Sequence, residues 1–249
     1  MCTLTFIPKP QGYLLGMNRD ERLTRERALV PVAITDSNLR VAYPREGRGG
    51  GTWIGSNSAG ITFALLNQNA GPYARMKERS RGGIIPALIG SSRFPDAMWH
   101  FQHTDLSGMM PFLLVGIFPA EQIISQCRWD GRELQFLRIG WDVHHWFSSG
   151  VSDEMARKVR DITCHEAWRR RDAASAEWLR GLHASHVPAR GSFSICVHRP
   201  DAATVSYTEV AFNGDELAMR YHAGHACQAL GRFDAEIVLQ PPSALAVAS

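Results

Sequence analysis

The chain has 249 residues, 45% of them apolar and 20% charged, with a formal net charge of +3. That length is enough for one domain with a full core, and the composition is that of an ordinary globular protein. There is no run of about 18 apolar residues, so no membrane span is expected.

The opening MCTLTFIPKP lacks a charged n-region followed by an apolar h-region, which predicts a cytoplasmic location. Basic residues cluster at Arg22, Arg25 and Arg27, at 75–81 and at Arg169 to Arg171. They read as solvated faces and helix ends, and no nucleic-acid partner is expected. Five cysteines, an odd number without a CxxC pair, argue against a disulfide framework and against a structural zinc site. His222, His225 and Cys227 form an HxxHxC cluster, a weak metal signal because no fourth ligand is evident. No metal and no organic cofactor are expected.

The first seventy residues read as strands and turns. Thr3 to Ile7 and Tyr13 to Asn18 are β-prone runs separated by a Pro/Gly turn, and Thr52 to Gly55 pairs with Ile61 to Leu66. The latter run is mostly apolar, as in a strand covered on both faces. Helical stretches follow over 82–91 and 95–103. Phe112 to Phe118 is a buried strand, with two or three more strands up to Phe147. A helix starts after Ser152, a good N-cap followed by Asp153 and Glu154, with Met155, Val159, Ile162 and Trp168 at helical spacing. A second helix covers 174–183. Strands return at Phe193 to His198, Ala203 to Ala211 and Glu216 to His222, and the tail after Gln240 is loosely held. Antiparallel hairpins dominate. The order predicts one α+β domain over 1–249, with two sheets and helices segregated outside them.

Cys2 is the first chemical candidate. A small residue at position two permits removal of Met1, which leaves an α-amine and a thiol on one residue. That residue then supplies both nucleophile and base; otherwise it is a small apolar start to an edge strand. In Asn18-Arg19-Asp20-Glu21, Asn18 and Asp20 share one strand face and Arg19 and Glu21 the other. Asp20 can hold the α-ammonium, and Arg19 can bind a carboxylate or stabilise a thiolate. The alternative is a charged turn.

The glycine-rich stretch from Gly47 to Gly55 fits no phosphate motif and points to close backbone approach to a ligand, or to a bulge. Trp53 is a pocket wall or a core residue. Asn67, ending a strand, is an oxyanion donor or a capping amide, with Asn69 nearby. Ser148 and Ser149 end another strand as donors or turn residues. Ser194, Cys196 and His198 share a strand face, as an inner face or a Cys/His pair.

Met1-Cys2-Thr3, Asn18-Arg19-Asp20-Glu21, Gly50 to Gly55, Asn57 through Asn67 and Arg81-Gly82 together resemble the NRDE family, also called transport and Golgi organisation 2. Ser194 to Arg199 and Arg220-Tyr221-His222 also look like bacterial members, so the resemblance spans most of the chain. More distantly the chain is similar to the bile-salt hydrolase and penicillin V acylase group of N-terminal-nucleophile hydrolases. That resemblance implies a four-layer αββα sandwich of mostly antiparallel sheets. It also implies a Cys2 nucleophile, Asp20 orienting the amine and Asn67 as an oxyanion donor.

The group's catalytic Arg falls on Met17, with Arg19 as the nearest replacement; its second oxyanion Asn falls on Ser148 or Ser149; its final Arg has no evident counterpart. Asn18, Trp53, Asn69 and Ser149 complete the candidate site as substrate contacts. Two readings follow: a cysteine hydrolase of a small linear amide or acyl compound, or a non-catalytic ligand-binding or trafficking protein. The family's eukaryotic association with haem handling suggests a haem-like ligand for the second, held by residues such as His144-His145 or Cys164-His165.

Overall fold

The computed structural model describes residues 2–47, 49–68, 79–229 and 231–241, and its first strand, β1 (Cys2–Lys9), sets the layering. Leu4 and Phe6 enter a core between two sheets, while Thr3, Thr5 and Ile7 face outward, as a period of two requires. The outward face is satisfied: Thr3 Oγ1 accepts from Arg160 and Thr5 Oγ1 bonds His145 Nδ1 at 3.0 Å.

The first sheet runs in the order β10 (His144–Ser148), β1, β2 (Gly12–Arg22), β11 (Ala202–Phe212), β12 (Leu217–Ala223), β13 (Ala235–Leu239). The second is a meander in chain order: β3 (Leu29–Asp36), β4 (Leu39–Arg45), β5 (Ile54–Asn57), β6 (Thr62–Asn67), β7 (Phe112–Phe118), β8 (Ile123–Trp129), β9 (Leu134–Ile139). Neighbouring strands pair antiparallel throughout. The Tyr13 hydroxyl crosses between the sheets, 2.8 Å from Gly60 O and 2.6 Å from Thr62 Oγ1.

Helices cover both outer faces. α1 (Ile84–Leu88) and α2 (Phe94–Gln102) bury Ile85, Leu88, Phe94 and Phe101 against Phe63, Phe112 and Phe118 of the second sheet. α3 (Asp153–Ala167) and α4 (Ala176–His183) bury Cys164, Trp178, Leu179 and Leu182 against Ile7 of the first. A short α5 (Ala226–Ala229) follows β12. The result is the expected αββα sandwich. Each fully buried Leu or Phe is worth about 1.5–3 kcal/mol, so the three apolar seams hold the layers together. Among the described residues, no helix is long and apolar enough to cross a membrane.

Three details differ from the sequence expectations. Ser152 caps α3 by accepting from Met155 N at 3.2 Å, as expected, but the inward face is not the large apolar one. Met155 and Ile162 are 44% and 55% exposed, whereas Ala156, Arg160, Thr163 and Cys164 are buried. Small residues let the helix sit close on the sheet, and a buried hydrogen-bond network takes the place of an apolar stripe. Phe193 to His198 is not a strand. Its backbone is held by irregular partners: Cys196 N donates to Ser185 O, His198 N to Gly191 O, and Ser194 Oγ to Cys196 O. Finally, β3, β4 and β13 are not delimited by sequence; Val30, Val32 and Ile34 of β3 and Val238 of β13 are apolar yet substantially exposed, so apolar side chains do not mark the buried face of those two strands. Asn69 and the tail beyond 241 lie outside the described residues.

Candidate active site

Cys2 opens β1 between two neighbours, pairing with Arg19 of β2 on one side and Ser148 of β10 on the other. Its backbone nitrogen donates to Ser148 Oγ at 2.9 Å. The register puts Cys2 and Arg19 on the inter-sheet face and Asn18 and Asp20 on the helix-covered face. Burial pushes the Cys2 thiol up; the Arg19 charge and the Asp20 backbone N–H favour the thiolate and oppose that shift.

Asp20 is sealed from solvent at 1% exposure. Thr204 Oγ1 donates to its Oδ1 at 2.6 Å, and Arg160 Nη2 lies 3.8 Å from its Oδ2. Burial raises the Asp20 carboxyl above the usual range, with the Arg160 charge and the Thr204 hydrogen bond opposing. Arg160 also donates from Nη1 to Thr3 Oγ1 at 2.9 Å and to Ser148 O at 3.3 Å. Thus α3 delivers one guanidinium beneath the ends of β1, β2 and β10.

On the other face, Arg19 Nη2 donates to Glu46 Oε1 at 3.1 Å and to Glu21 Oε2 at 3.3 Å. Its guanidinium lies 4.3 Å over the Trp53 ring. The Trp53 Nε1 is buried and has no hydrogen-bond partner among the described residues. Asn67 ends β6 half-buried. Arg81 donates to Pro111 O at 2.7 Å; burial lowers its pKa, and Cys2 is the leading opposing charge.

Cys2, Arg19, Asp20, Trp53, Asn67 and Arg81 line one cavity of about 70 Å³. A wider cavity of about 370 Å³ shares Arg19 and Arg25 with it and extends towards Tyr221 and His225. The glycine-rich run serves this geometry through backbone approach to another segment of the chain: a Cβ on Gly51 would lie 2.5 Å from Gly82 Cα, and Thr52 N donates to Gly82 O at 3.1 Å.

Two expected substrate contacts are corrected. Asn18 is buried on the opposite face, where Nδ2 donates to His183 O at 2.9 Å and Ile195 O at 3.0 Å, and Oδ1 lies 3.1 Å from His183 Nδ1. Its amide is fully used in strapping α4 and the following loop to β2. Ser149 Oγ accepts from Val151 N at 3.1 Å, a turn ahead of α3, and its neighbour Ser148 is the serine that reaches Cys2. Asn69 lies outside the described residues. Of the candidate haem ligands, His145 is tied to Thr5, Cys164 is buried under α4, and His165 is exposed. Arg160 escaped the sequence reading because an arginine inside a helix looks like a solvated side chain. The available signal was its place between Ala156, Thr163 and Cys164 on one small-residue stripe.

The family model described as Transport and Golgi organisation 2 matches residues 1–165. The chain belongs to the Transport and Golgi organisation 2 family. The matched range carries Cys2, Asp20, Asn67 and Arg160, while Thr204 lies beyond it. A search of curated proteins finds no match. Among solved structures, the family member described here is similar to an N-acylethanolamine-hydrolyzing acid amidase ortholog from Caenorhabditis elegans, with TM-score 0.59, 12% identity, and coverage of 86% of this chain and 93% of that one. A variant of conjugated bile acid hydrolase from Clostridium perfringens gives TM-score 0.54, 9% identity, and coverage of 96% and 92%. At these identities the likeness establishes a shared fold, the αββα sandwich described above.

Proposed function

We propose that this protein is an N-terminal-cysteine hydrolase that cleaves a small linear amide or related acyl compound through a thioester on Cys2. The observation that carries the reading is the convergence of Cys2, Arg19, Asp20 and Asn67 on one cavity of about 70 Å³. In this scheme, removal of Met1 turns the Cys2 nitrogen, 2.9 Å from Ser148 Oγ, into an α-amine able to act as base near neutral pH.

The amine takes the thiol proton, and sulfur bonds to the acyl carbon as the carbonyl electrons move to oxygen. The Asn67 amide, with backbone N–H groups, supplies the donors for that oxyanion. The ammonium then protonates the leaving nitrogen as the C–N bond breaks, leaving a thioester. Water, deprotonated by the freed amine, adds to the thioester; the carboxylic acid departs and the thiol recovers its proton. Asp20, held by Thr204 and Arg160, orients the amine through these steps. The smaller cavity has room for the reacting carbonyl, and the adjoining one of about 370 Å³ is large enough for the rest of a small substrate.

The test is intact mass combined with an amide and acyl-thioester probe panel. Loss of Met1 with probe-derived acylation on Cys2, abolished in Cys2→Ala, is the expected outcome. A retained Met1, or a processed and folded protein whose Cys2 takes up no probe, overturns the reading.

A further inference from the structure

His186 and Cys196 come from the irregular segment after α4, His198 from its end, and Cys227 from α5. One ligand atom from each lies within 4.8 Å of all the others. Cys196 Sγ and Cys227 Sγ are 3.5 and 3.6 Å from His198 Nε2. Tetrahedral zinc, with bonds of about 2.3 Å to sulfur and about 2.0 Å to nitrogen, sets its donors about 3.3–3.8 Å apart. His186 Nε2 is buried with no partner among the described residues. The HxxHxC cluster expected from sequence does not itself converge: His222 Nδ1 turns to Asp234 at 3.3 Å and His225 Nδ1 to Thr204 O at 2.7 Å, leaving Cys227 to join the other three.

We propose that His186, Cys196, His198 and Cys227 form a site for a single divalent transition metal of the zinc type. Binding converts two thiols to thiolates and releases two protons, so the metal and its ligands are together neutral, as a half-buried site demands. Arg190 Nη2 lies 3.1 Å from His198 Nδ1. Ligation through Nε2 puts the ring proton on Nδ1, and the exposed Arg190 side chain swings away. His225, its ring centroid 4.4 Å from that of His198, packs behind the ligand. The site would pin the irregular segment to α5 just beyond Thr204, whose Oγ1 accepts from Val197 N at 2.9 Å and donates to Asp20 at 2.6 Å.

The experiment is a cobalt(II) titration of the full chain, metal-stripped and reduced, with zinc competition. The expected result is one equivalent of tetrahedral cobalt with thiolate charge-transfer bands, bleached by zinc and unchanged in Cys2→Ala. Cys196→Ser and the milder His186→Ala should each weaken zinc binding by about a hundredfold or more. Absence of thiolate–cobalt bands in the wild-type protein overturns the proposal, as do bands of undiminished intensity in Cys196→Ser or bands that vanish with Cys2→Ala. A Cys196–Cys227 disulfide that persists in reductant overturns it too. None of these readouts depends on whether Cys2 is acylated.

Discussion

Arg160 Nη2 lies 3.8 Å from Asp20 Oδ2, and both side chains are closed to solvent. The same guanidinium reaches Thr3 Oγ1 and Ser148 O, so one side chain of α3 braces three strand ends around Cys2. Arg160→Met strands a buried carboxylate and should cost about 3–5 kcal/mol. The double variant Arg160→Met with Asp20→Asn should regain most of that loss. Urea midpoints at constant slope measure both, and equal losses in the single and double variants would remove the coupling.

Arg19 faces the thiol from β2 and is one of the charges that hold the Cys2 pKa down. Replacing it by Gln should shift the Cys2 alkylation profile to higher pH and slow alkylation at neutral pH. An unchanged profile would assign Arg19 to Glu46, Glu21 and Trp53 alone.

Gly51 touches the Gly82 backbone, where a Cβ would lie 2.5 Å from Gly82 Cα. Neither backbone can yield as a flexible side chain would, so Gly51→Ala should destabilise by about 1–3 kcal/mol and slow Cys2 acylation by displacing Arg81. Gly83→Ala, where an added Cβ meets nothing within 4 Å, is the matched control. Thermal unfolding and probe labelling on both variants check the contrast.

His183 is buried under Asn18, and burial lowers its pKa to about 3, with His145 and Arg160 adding to the shift. An unfolded histidine titrates near 6.5, so between about 3 and 6.5 the unfolded chain binds the extra proton. Stability is therefore full above about pH 6.5 and falls as the pH drops, by about 1.4 kcal/mol per pH unit from this one group. His183→Gln should flatten that part of the stability–pH curve by about one proton. An identical slope in the variant would assign the acid sensitivity to other groups.

Much of this was legible from local rules. The Ser152 cap, the two-sided β6 and the all-apolar β7 follow from propensity and period, and the placing of Cys2 and Asp20 on one cavity agrees with the motif resemblance. What was hidden depends on contacts far apart in sequence. The face that Asn18 presents is set by α4, 165 positions away, and its amide serves His183. Arg160 meets Thr3 and Asp20 only because β1 and β2 end above it. The His186, Cys196, His198 and Cys227 cluster needs the loop to turn back on α5, which no spacing rule encodes.

The walls around the Cys2 sulfur come from different sheets: Cys2 and Arg19 from one, Asn67 from the other, with Trp53 leading into its β5. The aperture is therefore governed by how far apart the layers stand. Tyr13, whose hydroxyl spans that gap to Thr62, acts as a spacer remote from the chemistry. Changing such a strut would alter the width of that aperture without altering a single residue that lines it.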